Sequence, residues 1–234
     1  MPRNRRLTSS LSRPIVLFLV LLPALFVILR GWNGFAYPST VAPYSDLTLS
    51  HFTFIDYIRQ QLLENYTFPL WFPTILSGTP LIANPLAGLW YPFGWPAFVL
   101  PLPFAFNLLV GLHLSWGALG MYLLLRQQRL GIAASLFGGL AFGLMPKLFA
   151  HYGAGHLTLM YALPWTPWLL LSTRLDNKYR PLLSAMILAL IFLADVRWSV
   201  FAGILWLAWL MVVTDHQISE NTRLKIQYIL CLLY

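Results

Sequence analysis

The chain is poor in cysteine and in charge. Its one cysteine among 234 residues, Cys231, excludes an internal disulfide and any metal site built from paired cysteines. Only 9% of the residues are Asp, Glu, Lys or Arg, where a soluble domain carries about a quarter. Carboxylates are scarcest, with seven Asp and Glu against fifteen Lys and Arg and a net charge of +8. Hydrophobic residues fill the gap at 59%, with a mean hydropathy of +0.68. Such a chain is an all-α polytopic membrane protein. Its basic residues border apolar runs, as topology signals do, so the excess positive charge is not read as a nucleic-acid surface.

Residues 1–13, with Arg3, Arg5, Arg6 and Arg13, read as a cytoplasmic N-terminus ahead of an apolar run from Pro14 to Leu29. With its flanks that run can cross about 30 Å of hydrocarbon. A cleaved signal peptide competes with this reading, but the run ends in Arg30-Gly31-Trp32 without a small-x-small cleavage site. An uncleaved first helix places residues 31–95 outside the cytoplasm. Within that loop, Phe52, Ile55, Ile58 and Leu62 recur at helical spacing, opposite Asp56, Arg59, Gln60 and Glu64. This predicts an amphipathic helix over 50–65, N-capped by Ser50 and lying in the membrane interface. Aromatic and proline-rich stretches follow at Phe68-Pro69-Leu70-Trp71-Phe72-Pro73 and Leu89-Trp90-Tyr91-Pro92-Phe93-Gly94-Trp95. Turns are expected at 77–80 and 83–85.

Five further spans are expected over 96–125, 132–150, 157–172, 181–194 and 198–213. Gly138, Gly139 and Gly143 would let a neighbouring helix approach the third span. Pro164 and Pro167 interrupt the fourth. Tight outer turns are expected at His151–His156 and at Asp195-Val196-Arg197. Eleven of the fifteen Lys and Arg then fall inside, and only Arg30, Arg59, Lys147 and Arg197 outside or at outer helix ends, an N-in arrangement of six spans. Residues 226–234 read as the start of a seventh helix that the chain does not finish, so residues 14–225 form the module and the sequence reads as a fragment or truncated member of something longer.

Taken in order, Ser45-Asp46, Phe68-Pro69-Leu70-Trp71, Ser77-Gly78-Thr79-Pro80-Leu81, Ala83-Asn84-Pro85 and Leu89-Trp90-Tyr91-Pro92 form a series. It continues through Gly120-Met121-Tyr122-Leu123-Leu124-Leu125-Arg126, Gly155-His156-Leu157 and Ala162-Leu163-Pro164-Trp165. The series resembles the YfhO-like bacterial membrane proteins of the GT-C glycosyltransferase class and covers most of residues 40–175. The resemblance implies a GT-C-like bundle in the inner or plasma membrane. It also implies transfer of a sugar from a polyprenyl-phosphate donor, on the outer face, to a lipid, polymer or protein acceptor. In that class an acidic residue of the first outer loop acts as general base or helps to hold a divalent metal. By position that residue is Asp46, about sixteen residues past the first span.

Each candidate also has a plainer role. Asp46 can be a turn or cap carboxylate, and Asp56 and Glu64 an exposed polar face with Asp56 near Arg59. His151 and His156 can bind a metal or a phosphate group, or simply face water. Several metal-dependent GT-C enzymes place acidic ligands in the second outer loop, where this chain has none, so a metal cofactor is left open. Lys147 and Arg197 can neutralise a lipid-linked phosphate or snorkel to the interface, and Asp195 can pair locally with Arg197. His113, inside the second span, is expected to face a helix neighbour. The rival functions are a transporter or flippase of a lipid-linked substrate, with polar groups along a path across the membrane, and a non-catalytic scaffold subunit. Convergence of Asp46, His156 and Arg197 on one pocket separates the enzyme from both.

Overall fold

The computed structural model of the protein describes residues 16–31, 34–36, 44–174 and 178–214. The expected N-terminal basic segment, the loop after residue 214 and the start of a seventh helix lie outside the described residues. The structure is mostly helical. Helix α1 (Leu22–Arg30) is followed by a π-helical turn, Leu47–His51, that runs directly into α2 (Phe52–Leu63). Then come α3 (Phe104–Gln127), α4 (Ile132–Gly143), α5 (Pro146–Ala154), α6 (Leu157–Ala162), α7 (Thr166–Ser172), α8 (Arg180–Ala194) and α9 (Val196–Thr214).

Two stretches among the described residues are long and apolar enough to cross a membrane, Phe104–Gln127 and Ile132–Ala154. The apolar helices α8 and α9 are shorter by that measure. The boundaries differ from the sequence reading where prolines intervene. Pro96 sits in a 3-10 stretch, Pro92–Phe98, so the helix expected from residue 96 starts at Phe104. Pro146 has no N–H to continue the ladder, so the third apolar stretch is two helices that meet at Leu144 and Met145. At Pro164 a single 3-10 turn, Leu163–Trp165, joins α6 to α7, and helical structure runs across 157–172 as expected.

Helix α3 is the central element, packed against α1, α4, α6 and α7. Its own hydrogen bonds satisfy its backbone, so close contact depends on small side chains. A Cβ on Gly139 would stand 2.7 Å from the Ala118 carbonyl oxygen, and one on Gly143 2.9 Å from Ala118 Cβ and Pro23 Cγ. Small residues at 139 and 143 thus set the α3–α4 spacing, as their positions suggested. Polar pins cross the same layer. Ser115 Oγ on α3 accepts from the Ala24 amide of α1 at 3.0 Å. Asn107 is fully buried, and its side chain ties four groups, on Gly31, Gly34, Ala36 and Tyr152 of α5, to α3.

The loop between α1 and α3 is built onto this bundle. Two residues on each side, β1 (Trp71–Phe72) and β2 (Thr79–Pro80), pair antiparallel, so the Pro-Leu-Trp and Ser-Gly-Thr-Pro stretches form one hairpin. Phe72 of that hairpin packs edge-on against Phe54 and Tyr57 of α2, with ring centroids 5.0 Å apart in each case. The apolar face of α2, with Phe54, Ile55 and Ile58 buried, is therefore covered by the protein's own loop rather than left for the bilayer. Amphipathic periodicity reports that a face is buried and not what buries it.

The helix also begins earlier than Ser50. Ser45 Oγ accepts the Thr48 amide at 3.4 Å while Thr48 Oγ1 accepts the Ser45 amide at 3.1 Å. These reciprocal bonds satisfy donors that a helix start leaves open, as a capping box does, and Ser50 lies inside the first turn.

Candidate functional site

The α5–α6 joint organises the site. Helix α5 ends at Ala154, and Gly155 takes a left-handed conformation with φ +91°, from which the chain turns back at His156 into α6. The turn expected over 151–156 is thus confined to Gly155 and His156, and His151 belongs to α5. The sequence offered two glycines, Gly153 and Gly155, and only the second has positive φ. A Cβ on Gly155 would lie 2.3 Å from the Leu47 amide nitrogen and 2.6 Å from that of Asp46. The missing side chain lets the start of the π-helical turn rest on the α5–α6 joint. That contact carries Asp46 to His156, with Oδ2 and Nε2 4.0 Å apart.

His156 turns its other ring nitrogen to His151, Nδ1 to Nδ1 at 2.9 Å. Lys147 lies one turn before His151 on α5, and Arg197 enters from the first turn of α9. Lys147, His151, His156, Asp195 and Arg197 form the polar wall of one cavity of about 280 Å³. Leu148, Leu159, Leu163, Trp198 and Phe201 form its apolar wall. The four candidate substrate-binding residues therefore meet in one place, and Asp46 stands beside them in contact with His156. Among the described residues no group of three or more His, Cys, Asp or Glu side chains is arranged to hold a metal ion.

Asp195 is the residue whose part the sequence understated. It is buried, pairs with Arg197 Nη2 at 2.9 Å, accepts from Thr158 Oγ1 at 2.7 Å and takes the Trp198 amide at 3.0 Å. An Asp immediately before an apolar helical run is an N-cap signal, and the hydrogen bond it accepts from the Trp198 amide makes Asp195 the cap of α9. Burial pushes its carboxyl up, but the bonds from Arg197, Trp198 and Thr158 outweigh burial and hold it below the usual carboxylate value. The local ion pair expected between Asp195 and Arg197 is present, and the Arg197 side chain remains 69% exposed while paired.

Other candidates lie elsewhere. Asp56 accepts from Gln60, Arg59 donates to the Leu100 carbonyl, and neither they nor Glu64 line the cavity. His113 meets Tyr91 Oη at 2.6 Å and the Leu109 carbonyl at 2.7 Å, and Trp165 Nε1 donates to the same tyrosine oxygen at 2.7 Å. This buried network holds the 91–95 loop on α3. An apolar groove of about 510 Å³ beside it is larger than the polar cavity, but its one titratable group, His113, is already engaged by Tyr91.

His51, in the π-helical turn, was not singled out by sequence. Its side chain is buried and its Nδ1 donates to the Leu86 carbonyl at 3.0 Å. Burial brings its pKa from 6.5 to about 4, against the raising effect of the Leu86 bond. A histidine held neutral by the fold binds fewer protons than its unfolded counterpart between those two values, so stability is full above pH 6.5 and falls as pH drops toward 4. The shift corresponds to about 3 kcal/mol. Thermal unfolding of the purified chain is expected to lose stability by that order between neutral pH and pH 4. His51→Gln, which keeps a donor for Leu86, is expected to flatten the dependence. An unchanged slope would show that another group controls it.

No protein-family model, curated protein or solved structure matches the chain.

Proposed function

We infer that the chain is a membrane glycosyltransferase of GT-C type. In this reading the cavity beside Asp46 lies on the outer face of the membrane and takes a sugar from a polyprenyl-phosphate donor to an acceptor hydroxyl. The observation that carries the reading is the juxtaposition of opposite chemistries in one place. A largely exposed carboxylate, Asp46, stands next to a cavity with two histidines, a lysine and an arginine on one wall and leucine and aromatic side chains on the other.

A donor with an anionic phosphate and an apolar tail fits both walls. In the reaction the acceptor oxygen bonds to the sugar's anomeric carbon as the carbon–oxygen bond to phosphate breaks. The phosphate leaves with the electron pair, and the acceptor's proton passes to the carboxylate side of the site. Lys147 and Arg197 stand where they would offset the charge on the departing phosphate. His156 sits at the α5–α6 joint and Asp195 and Arg197 at the α8–α9 joint, with Lys147 and His151 one turn apart on α5, a single cluster that favours surface chemistry over transport. The N-in topology of six spans belongs to the same proposal.

The test is incorporation of radiolabelled sugar from polyprenyl-phosphate donors in membranes expressing the chain at matched levels. Asp46→Asn is expected to lower transfer by about 100-fold or more, the usual weight of a positioned acid or base. Lys147→Met is expected to raise KM for the donor. Transfer indifferent to Asp46→Asn would remove the proposed role of Asp46, and no transfer across a broad donor panel would favour the scaffold reading.

A further inference from the structure

The two histidines at the α5–α6 joint face each other through the same kind of nitrogen. An Nδ1–Nδ1 contact of 2.9 Å is a hydrogen bond only if one ring carries the proton and the other presents its lone pair. Two protonated nitrogens would repel, and two lone pairs would repel as well. Which ring donates is set by what lies at the far side of each.

At His156 the far nitrogen, Nε2, lies 4.0 Å from the Asp46 carboxylate. The negative charge favours a proton on that nitrogen. A neutral His156 protonated at Nε2 has its lone pair at Nδ1, so the shared proton belongs to His151 Nδ1. His151 is then left with its lone pair at Nε2, on the cavity wall. Lys147, one turn earlier on α5, lies on the same side of the helix as His151 and adds a further positive charge to this wall. The remaining charged groups around the pair leave this order in place. Asp195 and Arg197 neutralise each other, and His51 is turned to the Leu86 carbonyl.

We propose that His151 Nε2 is the proton acceptor of this cavity, with Asp46 and His156 acting as positioning residues that set its tautomer. The proposal rests on the transferase reading for its consequence in turnover and refines it. The acceptor hydroxyl's proton goes to His151 Nε2, the proton on His151 Nδ1 can move to His156 Nδ1, and the positive charge then sits on the ring next to Asp46. Asp46 stabilises that charge without taking a proton itself, as the carboxylate of an Asp–His pair does in hydrolytic triads. Loss of Asp46 would lower transfer strongly in either version, so Asp46→Asn alone does not separate them.

The first experiment reads proton placement without any need for transfer. Diethyl pyrocarbonate reacts with an unprotonated imidazole nitrogen, which bonds to a carbonyl carbon and expels ethyl carbonate. The full chain in membranes is treated near neutral pH and modified histidines are quantified by mass spectrometry, with buried His51 as the unreactive reference. His151 is expected to label about ten-fold or more faster than His156, because its Nε2 lone pair is open to the cavity while the lone pair of His156 is taken up by the bond from His151 Nδ1. In Asp46→Asn the ratio is expected to fall toward one. Equal labelling of the two rings, or a ratio indifferent to Asp46→Asn, would overturn the proposal. Labelling blocked until EDTA is added would assign the pair to a bound metal and also overturn it.

The second experiment is kinetic. His151→Gln is expected to lower kcat with donor KM little changed and to remove the acidic limb of the pH–rate profile, with partial rescue by added imidazole. Active transfer that survives His151→Gln would discard His151 as the base and leave the transferase reading intact. A chain that labels as expected but transfers nothing would discard the transferase reading and leave the proton arrangement intact.

Discussion

Gly155→Ala is expected to destabilise the chain by about 2–5 kcal/mol and to separate Asp46 from His156. Two independent costs add. A left-handed backbone, φ +91° here, costs a residue with a Cβ about 1–2 kcal/mol. The methyl would also stand 2.3 Å from the Leu47 amide nitrogen and 2.6 Å from the Asp46 amide nitrogen, where the obstacle is backbone and not a flexible side chain. Relief requires the π-helical turn to move off the joint, and overpacking of this kind costs about 1–3 kcal/mol. Gly88 gives the control, since it too has positive φ, +66°, but nothing lies within 4 Å of its Cβ position. Gly88→Ala is expected to cost only the conformational part, about 1 kcal/mol. Thermal unfolding of both variants in detergent, with the His151 to His156 labelling ratio alongside, checks the pair. Equal losses in the two would show that the close approach at Gly155 does not matter.

The second large effect is expected at Asn107. Its Oδ1 accepts from the Ala36 amide at 3.0 Å and from Tyr152 Oη at 2.7 Å, and its Nδ2 donates to the carbonyls of Gly31 at 2.9 Å and Gly34 at 2.6 Å. One side chain on α3 thus ties the segment after α1 to α5, at a position with no exposure. Asn107→Leu keeps similar bulk but strands these groups in the interior. A buried polar group left without a partner costs about 1–3 kcal/mol, so the substitution is expected to cost about 4 kcal/mol or more in all. Asn107→Asp is expected to do comparable harm, because a carboxylate cannot donate to the two glycine carbonyls. Tyr152→Phe removes the bond to Asn107 Oδ1 and leaves the asparagine's other three bonds in place, and is expected to cost about 1 kcal/mol. A small loss in Asn107→Leu would mean that water replaces the side chain.

Much of the helical layout is legible in the sequence because it depends on local patterns. The runs ending at Ser172 and Ala194 keep their expected limits, since long apolar stretches between polar joints have few alternatives. Prolines at 96 and 146 shift the starts of α3 and α5 because their effect depends on whether a neighbour can satisfy the interrupted ladder. The amphipathic helix expected from Ser50 starts earlier for a related reason. Ser45 and Ser50 offer the same hydroxyl, and the contact of Gly155 with the Asp46–Leu47 backbone accompanies the earlier start.

The amino-acid sequence by itself determined the class of molecule, an apolar helical chain with a few charges set at the ends of its apolar runs, and it marked which of those charges deserved notice. Composition and periodicity carry that much because each helix must satisfy its own backbone and hide its own apolar face. Only the tertiary structure decided that Asp46 meets His156 across 110 residues of chain, that His151 shares a proton with His156, and that Lys147 and Arg197 stand on the same wall. Those meetings depend on where backbones can touch, at Gly155 above all, and a close approach between distant segments leaves no periodic trace in the sequence.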